Sequence, residues 1–234
     1  MKKAPLAPLA KAPPVKTQGI KTKLVPFIRS NIAWTRSSNG KWIEPFMGSG
    51  VVGFNMRPKR AIMADSNQHL VRIYQDIQAG SLTSDSIRDH LQSEGRVLAS
   101  VGEDHYYEVR ERFNNAPNSH DFLFLNRACF NGVIRFNSKG RFNVPFCRKP
   151  ERFAAALVTK ISNQVDWASK VIASGDYTFL AQNWRETLNM VRDDDFIYVD
   201  PPYEGRHTDY YNSWTEVEAE ELATDLKSLN AGFA

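Results

Sequence analysis

Apolar positions along the chain switch repeatedly between a helical and an extended period. Ile20, Leu24, Phe27 and Ile28 share one face, which predicts a helix starting at Gly19 and ending before Trp34. A strand is expected at 41–46, and Val51-Val52-Gly53-Phe54 reads as the start of a helix. Ala61-Ile62-Met63-Ala64 is a second apolar run, closed by Asp65 and followed by helical spacing through Leu70, Ile73, Tyr74 and Ile77. Residues 83–132 read as several helices, clearest over 104–114 and 120–131. Between residues 135 and 146 the period becomes two around Lys139-Gly140, as in a β-hairpin. Helical spacing resumes over 151–171, and 177–180 and 196–200 are short apolar runs suited to buried parallel strands. Thr215, with Glu218 three residues on, forms a capping box for a helix reaching about residue 229.

Strands alternating with helices predict a doubly wound α/β sheet. The expected organisation is a tail at 1–15, a sheet domain built from 16–80 and 151–234, and an inserted, mostly helical subdomain at 81–150 that carries the hairpin. The tail has four prolines, four alanines and three lysines, so it is expected to be flexible and basic. It lacks the apolar core of a signal peptide.

Composition narrows the class. A chain of 234 residues with 42% hydrophobic and 24% charged residues can bury a core, which excludes disorder over most of its length. No apolar stretch is long enough to span a membrane. Thirty Lys and Arg against 26 Asp and Glu leave a net charge of +4, a slight bias toward a polyanionic partner. Two cysteines support neither a disulfide framework nor a zinc site, and the five histidines lack metal-ligand spacing. A reduced, cytoplasmic setting without a metal is expected. Cys129 reads as a core residue on its helix, and Asp193-Asp194-Asp195 as a solvated turn.

Two motifs carry chemistry. Gly48-x-Gly50-x-x-Gly53 lies between a strand and a helix, with Asp65 after the next strand. Glycines there admit close backbone approach to a ligand, and the Asp65 carboxylate can accept from both ribose hydroxyls. This turn leaves a dinucleotide and S-adenosylmethionine both open. Asp200-Pro201-Pro202-Tyr203 ends a buried strand, where open α/β sheets bind ligands. The two prolines fix the turn and aim the Asp200 carboxylate, the Pro201 carbonyl and the Tyr203 ring at one place. An aromatic amine is a poor nucleophile because its lone pair is delocalised. Two acceptors, one per N–H, localise that pair, while Tyr203 offers a stacking face. Arg206 and His207 follow in a loop that either touches a nucleic acid or is merely solvated.

Glu44-Pro45-Phe46-Met47-Gly48-Ser49-Gly50, Asp65, Asn126-Arg127-x-x-Phe130-Asn131-Gly132-x-x-Arg135-Phe136-Asn137, Phe142-Asn143-Val144-Pro145-Phe146 and Asp200-Pro201-Pro202-Tyr203 together resemble the Dam-like class of DNA adenine methyltransferases, over about residues 16–214. The resemblance implies a Rossmann-like methyltransferase sheet and methyl transfer from S-adenosylmethionine to the N6 amino group of a flipped adenine in double-stranded DNA. It implies Asp200, Pro201, Pro202 and Tyr203 as the catalytic group. Glu44, Pro45, Phe46, Gly48, Ser49, Gly50, Asp65, Asn183 and Asp200 would line the cofactor, with Lys21 at its carboxylate.

The same resemblance places DNA contacts at Lys16, Phe130, Asn131, Val133, Arg135, Asn137, Lys139, Arg141 and Pro145. Arg135 would either read a guanine edge or clamp a phosphate, and Phe130 or Asn131 would fill the gap left by the flipped base. Lys139 and Arg141 would meet phosphates, Lys16 an outer guanine, and GATC is the expected site. The rival readings are a methyltransferase acting on RNA adenine or a glutamine amide, and a truncated, non-catalytic DNA-binding remnant. Lys16-Thr17-Gln18-Gly19-Ile20-Lys21 lacks the aromatic and one glycine usual in the family, and Gln182-Asn183-Trp184 stands where an acidic residue precedes an aromatic. The chain ends where a further strand would begin, so a truncated sheet is expected, with the strand before Asp200 short of a neighbour.

Overall fold

The computed structural model describes residues 10–35, 39–202 and 214–234. Among them five parallel strands form one sheet: β1 (Trp42–Glu44), β2 (Arg60–Asp65), β3 (Asp176–Ala181), β4 (Phe196–Ile197) and β5 (Gly232–Phe233), in the order β3-β2-β1-β4-β5. The order reverses between β1 and β4, which are paired through Trp42 with Phe196 and Ile43 with Ile197. Such a reversal opens a crevice at the carboxyl ends of the two strands. This is the Rossmann-like arrangement expected from the alternation of elements.

β4 cannot continue its ladder past Asp200, because Pro201 and Pro202 follow. It still has a neighbour on each side, since the Tyr198 amide donates to Ile43 and the Val199 amide to Ala234. The expectation that this strand would lack a partner is therefore corrected: β5 supplies it.

The helices are α1 (Val25–Asn31), α2 (Val51–Met56), α3 (Gln68–Ala79), α4 (Ser84–Val101), α5 (Glu103–Asn115), α6 (Ser119–Ala128), α7 (Ala155–Ile172), α8 (Trp184–Leu188) and α9 (Glu216–Ser228). Alternation along the strands divides the core. Trp42, Met63, Tyr177, Phe179 and Phe196 join a large cluster with α2, α3, α7 and the helices of the insertion. Ile197 joins a smaller one with Trp184, Leu188, Trp214, Leu222 and Leu226. None of the described helices is long and apolar enough to cross a membrane.

Several local readings differ from the structure. α1 begins at Val25, with Pro26 in its first turn, because residues 17–21 are used as a wall of the crevice. Leu24 and Phe27 consequently remain exposed. Within the expected tail, Pro13, Pro14 and Val15 are buried. No helix is needed there, because side chains satisfy backbone groups of this irregular segment. The Asn55 side chain pairs with both backbone polar groups of Lys11, at 2.9 and 2.8 Å, and Arg127 donates to the Pro14 carbonyl.

Asp195 is buried rather than solvated. Its carboxylate accepts from the amides of Lys41 (2.7 Å) and Arg192 (3.0 Å), which ties the approach to β4 against β1. Cys129 is in the core as expected, but it caps α6 instead of lying within it. Burial pushes its thiol up to about 12. The expected hairpin is present as a turn with two isolated antiparallel bridges, Phe136–Phe142 and Cys129–Phe146.

Candidate active site

The crevice holds a cavity of about 350 Å³ between the glycine turn, residues 17–21, Asp65, Asn183-Trp184, Tyr198, Asp200-Pro201-Pro202 and Trp214. Its floor is the turn after β1. Gly48 and Gly50 have φ of 51° and 69°, in the left-handed region that strains other residues. A Cβ on Gly50 would also lie 2.5 Å from the Phe54 ring. The turn is fixed from below, for Met47 N donates to Ala64 O (2.7 Å) and Tyr74 Oη to Ser49 O (2.5 Å).

Asp65 locks this turn to β2. One carboxylate oxygen accepts from Gly48 N at 2.8 Å and the other from Asn67 N at 2.9 Å. A carboxylate has about four lone-pair sites, so acceptor capacity remains on each oxygen. Burial raises the Asp65 pKa, and the two amides offset part of that.

Glu44 is more unusual. It ends β1 at 2% exposure, and its Oε1 accepts from Gly53 N at 2.9 Å. Its Oε2 has no hydrogen-bond partner among the described residues. Burial pushes its pKa up to about 8; the Trp42 indole and the Gly53 amide offset part of this, and the negative charge of Asp200 adds a little to it. A buried acceptor without a donor is costly and marks a place where a ligand can complete the structure.

Asp200 faces the same cavity from the end of β4, and its Oδ2 pairs with Lys21 Nζ at 2.8 Å. The opposite wall is aromatic. Phe46 lies 6.4 Å from Trp184 and 5.3 Å, edge-on, from Trp214, while Trp184 and Trp214 are 6.2 Å apart between ring centroids.

The structure thus gathers Lys21, Glu44, Pro45, Phe46, Gly48, Ser49, Asp65, Asn183, Asp200, Pro201 and Pro202 around one cavity. The Asn183 side chain caps α8 by accepting from Arg185 N at 2.9 Å. Tyr203, Arg206 and His207 lie outside the described residues. Trp214 and Tyr198 line the cavity without having been singled out from the sequence. Trp214 was legible only as the aromatic residue before the Thr215 cap, a position that usually signals packing.

The residues expected at DNA form a second group. α6 ends at Ala128, and Phe130–Gly132 make a tight turn in which Asn131 has φ 54° and Gly132 φ 68°. Phe130 is 55% exposed, held by its amide to Pro145 O at 2.9 Å. Val133 is half-buried beside it. Arg135 is exposed and braced by Asn143, with Nε 2.8 Å from Oδ1. Asn137 Oδ1 accepts from the amides of Lys139 and Arg141, both at 3.0 Å, so it shapes the turn that presents them. Arg141 is ion-paired with Glu111. Ile134 reaches the cavity wall and joins the two groups.

The strand order, the glycine turn after β1, the carboxylate after β2 and the Asp-Pro-Pro turn after β4 define a Rossmann-like domain of the methyltransferase class. More narrowly, the chain belongs to the D12 class N6 adenine-specific DNA methyltransferase family, whose family model matches residues 18–234. It is 32% identical over 168 residues to a DNA adenine methylase of Serratia marcescens, covering 69% of this chain and 57% of that protein. It is 28% identical over 223 residues to the retron Ec67 DNA adenine methylase of Escherichia coli, covering 91% and 71%. With the type II methyltransferase M.MjaIII of Methanocaldococcus jannaschii the identity is 30% over 226 residues, covering 88% and 74%. The chain thus spans between 57% and 74% of the length of these relatives.

Proposed function

We propose that this chain transfers a methyl group from S-adenosylmethionine to the N6 amino group of an adenine in double-stranded DNA in the cytoplasm, with GATC as the expected site. The observation that carries the reading is the position of Asp200-Pro201-Pro202 at the carboxyl end of β4, across one cavity from the glycine turn and Asp65.

The donor set fits such a cofactor. Lys21 suits a carboxylate, and the unpartnered Glu44 Oε2 and Asp200 suit an ammonium. Asp65 keeps acceptor capacity for a ribose diol, and Phe46 and Trp184 suit a purine face. When bound, the cofactor supplies an already activated methyl group.

What remains for the protein is positioning. A target base inside a duplex cannot reach the cavity, so it must be extruded at a cost of a few kcal/mol. Asp200 and the Pro201 carbonyl then accept one N–H each and draw the amino nitrogen toward tetrahedral geometry. Asp200 need not be a strong base, because the amine becomes acidic once methylated. Its ion pair with Lys21 holds the carboxylate in place before the amine arrives. Arg135, Lys139 and the exposed Phe130 face outward for the duplex, with Lys16 beside them.

The test is incubation with methyl-labelled S-adenosylmethionine and two duplexes, one containing GATC and one with its adenine replaced. Label entering only the GATC duplex is expected. Asp200→Ala is expected to lower the rate on the order of 10²–10³-fold, as removal of one charge-localising hydrogen-bond partner does elsewhere. Label on RNA or protein, or full activity of the variant, overturns the reading.

A further inference from the structure

We infer that Asn126 and Gly132 are positioning residues for DNA recognition: together they fix the side chain of Lys16 against the turn that carries Phe130 and Asn131, and so set the base preference at one position of the site. This rests on the DNA-methylating reading above.

The irregular segment 10–16, which bends at Pro14 and Val15, has no strand beside it among the described residues, yet the backbone of Lys16 is satisfied on both sides by a single side chain. Asn126 Oδ1 accepts from Lys16 N at 2.9 Å and Asn126 Nδ2 donates to Lys16 O at 2.8 Å. The two residues are 110 apart in sequence, and Asn126 is 0% exposed. The arrangement imitates one rung of a β-ladder. Asparagine suits it because its amide carries both an acceptor and a donor, which aspartate and leucine do not. The same Nδ2 lies 3.5 Å from Gly132 O, so Asn126 joins Lys16 to the recognition turn.

Gly132 then directs the lysine stem. Its φ is +68°, and a Cβ built on it would meet Lys16 Cδ at 2.5 Å, Cε at 3.0 Å and Cγ at 3.1 Å. Three consecutive carbons of the lysine therefore cross the bare α-carbon of Gly132. A lysine free on the surface spreads its charge over many rotamers, whereas this one is confined along most of its stem. Among the described residues no carboxylate pairs with its ammonium, in contrast with Arg141 and its partner Glu111. A confined cation without an internal partner is suited to an acceptor brought by another molecule, and guanine O6 and N7 are such acceptors in the major groove.

The segment also sets the distance to the reacting base. Residues 17–21 run directly from Lys16 into the cavity wall, ending at Lys21 on Asp200. Five residues span at most about 17 Å. The backbone of Lys16 is thus tethered close to the wall of the cavity that receives the target base.

The test maps methylated sites in a random duplex library by sequencing, for the full chain and three variants. Lys16→Met removes the ammonium and keeps the stem; Gly132→Ala displaces the stem; Asn126→Asp keeps the acceptor for Lys16 N and removes the donor to Lys16 O. All three are expected to relax the same single position of the methylated motif by about ten-fold, with the other positions kept. Binding of S-adenosylhomocysteine by calorimetry is expected to stay within about two-fold of wild type, because neither Asn126 nor Gly132 lines the cavity. A uniform loss of methylation at all sites, relaxation at a different position in Gly132→Ala than in Lys16→Met, or an unchanged motif in Lys16→Met overturns the inference. If Gly132→Ala loses its cooperative melt, Asn126→Asp decides. Wild-type protein that binds the cofactor but methylates no DNA overturns the functional reading, and this inference with it.

Discussion

Two of the buried carboxylates meet opposite fates. Asp121, in the helical insertion, is 1% exposed and Glu44, at the crevice, 2%. Asp121 is well supplied with donors: Arg112 reaches both oxygens at 2.8 and 2.5 Å and Asn118 Nδ2 lies at 2.9 Å, with the His90 ring 3.2 Å away. Against the desolvation that burial imposes, these contacts hold its pKa well below the usual carboxylate range. Glu44 has only the Gly53 amide and the nearby Trp42 indole to offset burial, and desolvation wins. Burial alone therefore does not decide charge; the partners do. A satisfied carboxylate organises structure, here α4, α5 and α6 through Glu94, Arg112 and His90. One short of donors stays neutral over a wider pH range and can accept a hydrogen bond from a ligand in the crevice.

The largest expected effect tests the satisfied partner. Asp121→Ala strips Arg112 and Asn118 of their shared acceptor and removes the carboxylate beside His90. Arg112 is half-exposed and can turn to water, so the cost is set below that of a wholly buried pair, at about 3 kcal/mol by urea unfolding. The pH dependence has a definite sign. Because the folded pKa of Asp121 is depressed, its contribution is complete above the unfolded value near 4 and is lost as pH falls through the folded one. Hydrogen exchange in acid should show α4–α6 opening before the sheet. A sheet that opens first would break the comparison.

Glu44 should show the reverse. Its folded pKa is raised to about 8 from 4.5, so its contribution is complete below 4.5, falls as pH rises to 8 and stays flat above. Glu44→Gln keeps an acceptor for Gly53 N and removes the titration. The variant should gain stability relative to wild type between pH 5 and 8, on the order of 2 kcal/mol once water entering the open cavity has relaxed part of the penalty. Denaturant midpoints at pH 5, 6.5 and 8 check this, and a constant difference would mean that Glu44 does not titrate in that window.

The contrast also separates what the chain reveals from what it hides. The sheet, the turn of Gly48 and Gly50, Asp65 and the Asp200-Pro201-Pro202 turn were legible because each depends on local rules: short apolar runs closed by polar residues, left-handed glycines and prolines that end a strand. The capping box of Thr215 and Glu218 is local in the same way and is present, with Glu218 N on Thr215 Oγ1 at 3.2 Å. The burial of Pro13, Pro14 and Val15 was not legible, because Asn55 and Arg127 hold that segment from far along the chain. The orphan oxygen of Glu44 was hidden too, since its solitude depends on how β1 and β4 meet. Trp214 became a cavity wall only through the packing of α8 and α9.

Asp195 gives an intermediate case. It is buried, accepts from two backbone amides and has no cation beside it among the described residues. If partners decide, its removal should cost less than that of Asp121, since two neutral donors lose their acceptor rather than a cation. Asp195→Ala is expected to lower stability by about 1–2 kcal/mol, with Asp195→Asn between it and wild type. A loss as large as that of Asp121→Ala would show that the tie between residues 41 and 192 matters more than the charge.

The same distinction extends to the surface cations of the hairpin turn. Arg141 is satisfied by Glu111 and Asn115, whereas Lys139 is exposed with no carboxylate partner among the described residues. An unpartnered cation can release a counterion on meeting a phosphate, but a paired one must first give up its carboxylate. Lys139→Ala is therefore expected to reduce the slope of log affinity against log salt by about 0.9, the value for one phosphate contact on duplex DNA. Arg141→Ala should change it by less. Fluorescence anisotropy of a labelled duplex across a salt series measures both slopes. A larger change for Arg141 would mean that DNA draws it away from Glu111, and the rule that unsatisfied groups mark contacts would not hold for this turn.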